Sequence, residues 1–148
     1  MVSDRFIRIP GSSESILAMP DHERAMLAYV RLAELSRQKQ QALGGDRFLT
    51  LAAAAACRAG WLEVAERCRD LILQDNAAHS IGRSPSAAEA MRDADFQSLI
   101  KRLERFCGYE RAEHLLRELG IDPGPGDEDE SVSAGRLALS ILAHKPGS

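Results

Sequence analysis

The sequence predicts an all-α fold of about six helices, arranged as antiparallel pairs in a small right-handed array or as an irregular helical bundle. Three observations carry this expectation. Alanine and leucine supply 40 of the 148 residues, and both lose little rotamer freedom in a helix. Apolar residues recur at helical spacing along most of the chain, whereas only Arg5-Phe6-Ile7-Arg8-Ile9 alternates like a strand. A lone strand has no partner, so residues 1–20 are expected to form an N-terminal arm lying over the helices. The length suits one domain whose core needs no disulfide or structural metal.

Asp21, after Pro20, is placed to cap a helix running to about Leu43, with Met26, Tyr29, Val30 and Ala33 on one face. Gly44-Gly45 is expected to end that helix, because glycine accepts the left-handed conformation common at helix C-termini. Asp46 then caps a helix through Leu49, Leu51 and the alanine run to Arg58, and Ala59-Gly60 turns the chain. Trp61 to about Gln74 forms the partner helix, with Leu62, Val64, Ala65, Cys68, Leu71, Ile72 and Leu73 as its apolar positions, and residues 76–84 read as loop. Ser86-Ala87-Ala88-Glu89 has capping-box spacing for a short helix. Asp93 or Asp95 restarts helix with Phe96, Leu99, Ile100, Leu103 and Phe106 on one face, which assigns Phe106 to the core. Gly108 breaks that helix, Glu110 to Leu119 forms the last helix of a 21–121 domain, and Gly120-Ile121 has the form of a Schellman ending.

Residues 122–131, rich in proline, glycine and acid, read as a linker. Residues 132–148 hold a final helix, capped by Ser131 or Ser133, and a tail. Leu137, Leu139, Ile141 and Leu142 make that helix too apolar to leave in water. It is expected to dock on its own domain or, in a homodimer, on a second copy.

Charge separates the chain into two parts. Residues 1–121 carry 17 Lys/Arg and 17 Asp/Glu, while residues 122–148 carry 2 and 5, so the net charge of −3 lies in the tail. That balance argues against a basic nucleic-acid binder and a disordered polyampholyte as overall classes. The opening residues lack the apolar core of a secretory signal, and no apolar run is long enough to span a bilayer. Cys57, Cys68 and Cys107 are an odd number without CxxC spacing, which disfavours a disulfide framework or a zinc site. A cytoplasmic protein without metal or cofactor is expected.

Two segments share a layout of helix, glycine, aromatic and second helix: Cys57-Arg58-Ala59-Gly60-Trp61 and Arg105-Phe106-Cys107-Gly108-Tyr109. Residues 46–79, 34 in length, resemble a tetratricopeptide repeat, with Ala53 at the small position of the first helix, Gly60 at the turn, Leu62 after it and Ala65 at the small position of the second. Leu49 stands where that repeat has an aromatic, Ala77 where it has proline, and Ile72 at a position usually small. The resemblance covers about a quarter of the chain. It implies tetratricopeptide-like helix pairs and a non-catalytic adaptor or scaffold that binds a protein or peptide in a helical groove. Arg47, Thr50 and Arg58 are the polar candidates for lining that groove. The competing expectation is that Ala52 to Ala56 pack against the long first helix.

Catalytic patterns are lacking. His22, His79, His114 and His144 form no HExxH-type spacing, and no GxSxG or P-loop occurs. His114, among Glu110, Glu113 and Glu118, reads as a solvated helix residue. His79 follows a helix end, whose dipole would favour a partly charged imidazole. Cys57 and Cys68 read as core packing. Lys101, Arg102 and Arg105 share one side of a helix and offer phosphate contacts, which defines an alternative: a small nucleic-acid-associated regulator using residues 101–111. In that alternative Phe106 and Tyr109 stack on bases only if exposed, and Glu104 and Glu110 dilute the patch.

Overall fold

The computed structural model describes residues 21–121 and 130–143 and is all-helical across them, with seven α-helices, one 3-10 turn and no strand. The expected arm and most of the expected linker lie outside the described residues. In chain order the helices are α1 (Asp21–Gln38), α2 (Ala42–Ala59), α3 (Leu62–Asp75), α4 (Ala87–Ala90), α5 (Ala94–Phe106), α6 (Tyr109–Glu118) and α7 (Glu130–Ala143). The 3-10 turn, Ser80–Arg83, precedes α4.

Helix α2 lies at the centre. Leu49 through Ala56 are all buried, and eight consecutive residues at ~100° each pass twice around a helix. No face of that stretch is open. Helix α1 packs along α2 most extensively, α3 covers a second side, and α4 and α5 close the rest. Five successive alanines suit this position, because a methyl side chain lets neighbouring backbones approach from every direction. The groove expected along the alanine face is therefore filled by the chain's own helices.

The junction of α1 and α2 differs from the sequence expectation. Helix α1 ends at Gln38, and Gln40 takes the left-handed conformation at φ 59°. Gln40 N donates to Arg37 O at 3.0 Å, and Gln41 N donates to Ser36 O at 2.8 Å. This is a Schellman ending built on glutamine rather than glycine. Gly44 and Gly45 lie in the first turn of α2, where a Cβ on Gly45 would come within 3.3 Å of Arg37 Cγ. Their smallness lets α2 start beside the last turn of α1. Asp46 accordingly lies inside α2 and does not cap it.

Two other helix ends use the same pair of bonds on glycine. Gly60, at φ 87°, donates to Cys57 O while Trp61 N donates to Ala56 O at 2.8 Å. Gly120, at φ 74°, donates to Arg117 O while Ile121 N donates to Leu116 O at 2.9 Å. Two helix starts are capped as their sequences suggest: Glu89 N donates to Ser86 Oγ at 3.1 Å, and Phe96 N to Asp93 Oδ2 at 2.9 Å.

Helix α5 buries Phe96, Ile100 and Leu103 and crosses α2 steeply. Its two flanks reach positions ten residues apart on α2: Phe106 meets Phe48, and Glu104 meets Arg58. Those positions are about 15 Å apart along the α2 axis. The Tyr29 hydroxyl donates to Cys107 O at 2.9 Å, tying α1 to the corner between α5 and α6.

Helix α7 docks on its own chain, against α1 and α3, and buries Ala134, Ala138, Ile141 and Leu142. It begins at Glu130, ahead of the serines expected to cap it. The contact is keyed by Trp61, whose ring lies where a Cβ on Gly135 would stand, 2.2 Å from Cε3. Trp61 Nε1 donates to Glu23 Oε2 at 2.6 Å, so the ring that accepts Gly135 is also tied to α1.

Candidate functional site

The three residues expected to line a groove do not share one. Thr50 is fully buried, and its hydroxyl donates to Asp46 O at 2.7 Å, the backbone acceptor one turn back. Arg58 pairs with Glu104 at 2.8 Å, two turns further along α2. Arg47 lies on the surface with its guanidinium carbon 5.1 Å from the centroid of the Phe106 ring. Only Arg47 thus belongs to an outward-facing cluster.

That cluster is assembled from α2 and α5. Phe106 is not core: it is 50% exposed. The reason is geometric, since on a helix Phe106 falls about 80° from Phe96, on the flank beyond the stripe centred on Phe96, Ile100 and Leu103. Its ring leans on Phe48 at 6.4 Å between centroids and 36° between planes. Leu43, one turn before Arg47, is 66% exposed. Arg102 stands one turn before Phe106, and Arg105 lies beside it; both are exposed and, with Lys101, have no acidic partner among the described residues. The cluster thus combines an apolar aromatic surface with a cation laid across it and further cations on α5.

A second concavity, an open cleft of about 270 Å³, lies between α1, α2 and the α5–α6 corner, lined by His22, Tyr29, Arg58, Glu104 and Tyr109 among others. Of its polar side chains, Tyr29, Arg58, Glu104 and Tyr109 are already engaged, while His22 is exposed. Tyr29 donates to Cys107 O, Arg58 holds Glu104, and Tyr109 donates to Glu113 Oε2 at 2.6 Å. Burial pushes the Tyr29 phenol well above its ordinary value, so it stays protonated at neutral pH.

The thiols are placed for packing. Burial raises the pKa of Cys57, Cys68 and Cys107 alike, the opposite of what a thiolate nucleophile needs. His114 is exposed and sits 3.2 Å from Glu118, one turn on. Among the described residues no group of three or more His, Cys, Asp or Glu side chains is arranged to hold a metal ion. No described helix is long and apolar enough to cross a membrane.

His79 departs from its sequence reading. It is not a charged group serving a helix dipole. Its Nδ1 accepts from Ile81 N at 3.1 Å and caps the 3-10 turn, and Nε2 lies 3.4 Å from Thr50 Oγ1. Burial pushes the imidazole below its ordinary value, against the pull of Asp46. Sequence reasoning also passed over Phe48 and Leu43. Phe48 carries no periodic signal of its own, and Leu43 was assigned to the end of α1, so neither could be placed beside Phe106.

No protein family, curated protein or solved structure matches this chain.

Proposed function

We propose that this chain is a non-catalytic, cytoplasmic protein-interaction module that docks an acidic, apolar-anchored segment of another protein across the face made by Leu43, Arg47, Phe48, Arg102 and Phe106. The observation that carries the reading is Phe106, half exposed and framed by Phe48 and Arg47. Clustered aromatic and arginine side chains are what binding hot spots are made of. Arg102 and Arg105, without an acidic partner among the described residues, add complementarity for carboxylates, which steers encounter more than it adds affinity. The α2–α3 hairpin, with Gly60 left-handed and Trp61 following, supports reading the middle of the chain as a tetratricopeptide-like pair. Burial of α2 moves the docking surface from the inner groove of such a pair to its flank.

The exposure of Phe106 also bears on the nucleic-acid alternative through Lys101, Arg102 and Arg105. A base would stack on the ring only by displacing Arg47, which already lies over it. A peptide carboxylate gains from that arginine where it stands. We therefore favour the protein partner.

The reading is tested by joint substitution of Arg47→Glu and Phe106→Asp, with Arg117→Glu on α6 as the control. The first should weaken a protein partner by roughly thirtyfold or more without changing the melting temperature, and the control should not. Equal binding by both variants would overturn it, as would binding of single-stranded RNA that is lost with Lys101→Glu and Arg105→Glu.

A further inference from the structure

The hydrogen bonds around His79 form a chain with one direction. Thr50 Oγ1 spends its proton on Asp46 O at 2.7 Å, so toward His79 it is an acceptor. The Ile81 amide has one proton and gives it to Nδ1 at 3.1 Å, so Nδ1 carries none. Both ends require the same tautomer, with the proton on Nε2 and directed at Thr50. The chain links α2 to the 3-10 turn and ends on Ile81, whose side chain is fully buried.

A second proton would have to sit on Nδ1, facing the Ile81 N–H. Donor would meet donor, and the cap would be lost. The imidazolium has another destination. The Asp46 carboxylate acts on His79 electrostatically and also takes a hydrogen bond from the Asn76 side chain. Asp75, at the end of α3, adds negative charge that acts on Asp46. Arg83 in the turn is exposed to solvent. The surrounding charges therefore favour a protonated ring that has left Ile81.

We propose that His79 is a proton-operated latch on the 79–82 turn: neutral, it caps Ile81; protonated, it releases the amide and pairs with Asp46. The opening is local. Arg69 still donates to Ser84 O at 2.8 Å, and Ala87 N still donates to Glu66 Oε2 at 2.6 Å, which straps the following segment to α3. Protonation of His79 thus loosens the link between α3 and α4 without unfolding the body.

The direction with pH follows from linkage. Burial depresses the folded His79 value below the ordinary 6.5, so its stabilisation is complete above about pH 6.5 and is lost as pH falls through the folded value. Asp46 runs the other way. Burial raises it above 3.8, so its ionised form is penalised at neutral pH and that penalty is relieved on acidification. Global melting mixes the two; site-resolved NMR separates them.

Nitrogen-15 shifts of His79 at pH 8 should show Nε2–H and a bare Nδ1. The protection factor of the Ile81 amide should fall on the order of tenfold across the His79 titration. In His79→Asn the side-chain oxygen can accept the same amide as an Asx turn, so protection should persist and become independent of pH. Asp46→Asn should move the His79 midpoint further down by removing the opposing charge. An Nδ1–H tautomer, a flat Ile81 protection factor, an equal fall in His79→Asn, or an unmoved midpoint in Asp46→Asn would each overturn the latch.

Discussion

Ala54→Leu is expected to destabilise the protein by about 3 kcal/mol, the upper end of what overpacking costs. Ala54 has no exposed surface and lies within the unbroken buried run of α2. Three added carbons have nowhere to go, because α1, α3, α4 and α5 together cover the helix. Leucine is nearly as good a helix former as alanine, so propensity offsets almost none of the loss. For a domain of this size the melting temperature should drop by roughly 6–12 °C. Ala42→Leu, at an exposed position in the first turn of α2, should change it by less than about 2 °C. Urea denaturation and thermal melting of the two variants read this directly. A melting temperature for Ala54→Leu within that smaller range would mean that the alanine face is open and that the inner-groove reading is right.

The second large effect is expected at Gly135. Replacing a mid-helix glycine by alanine ordinarily gains about 1 kcal/mol, so Gly135→Ala would stabilise an unconstrained α7. Here the new Cβ would lie 2.2 to 2.6 Å from three ring atoms of Trp61. The ring is not free to retreat, because its Nε1 is held by Glu23 at 2.6 Å. The clash therefore wins, and Gly135→Ala should cost roughly 1–2 kcal/mol net. Gly135→Leu should cost about 3 kcal/mol and partly undock α7. Undocking exposes Ala138, Ile141 and Leu142, so binding of a hydrophobic dye should rise. Trp61→Leu removes the obstructing ring, and in that background Gly135→Ala should become neutral or stabilising. A double-mutant cycle measures the coupling. Additive costs in the two backgrounds would show that Trp61 does not seat this helix.

These two sites mark what the sequence could and could not disclose. Helical periodicity and glycine placement located most elements, and Gly60 and Gly120 end their helices as glycine predicts. Gln40 shows the limit of that signal. The same Schellman bonds form on a glutamine, while the nearby Gly44-Gly45 serves close packing instead. Residue type at a turn reports a preference, and tertiary contact decides between candidates a few residues apart. The alanine run was ambiguous in another way. Small residues suit an open groove and a crowded centre equally, and only the number of neighbouring helices distinguishes them.

The candidate site was legible in fragments. Arg47, Arg102 and Arg105 were singled out for their charge, yet in two separate hypotheses, because nothing in the sequence indicates that α5 crosses α2 at Phe48. Phe106 was assigned to the core by its spacing from Phe96 and Leu103, which differs little between the edge of a stripe and its flank. Thr50 stood out as a polar residue among alanines, and it is indeed distinctive. Its partners are Asp46 O and His79, inside the fold, and that role requires a contact across 29 residues of sequence.

Site-specific photo-crosslinking in cells probes the docking face most directly. A photoreactive phenylalanine analogue at Phe106 or Leu43 should form adducts with another protein, and those adducts should be lost when Arg47→Glu is added. The same analogue at His114, an exposed position on α6, should give none of them. Adducts formed from His114 with Phe106 and Leu43 silent, or adducts at Phe106 to RNA alone, would contradict a protein-docking surface on α2 and α5.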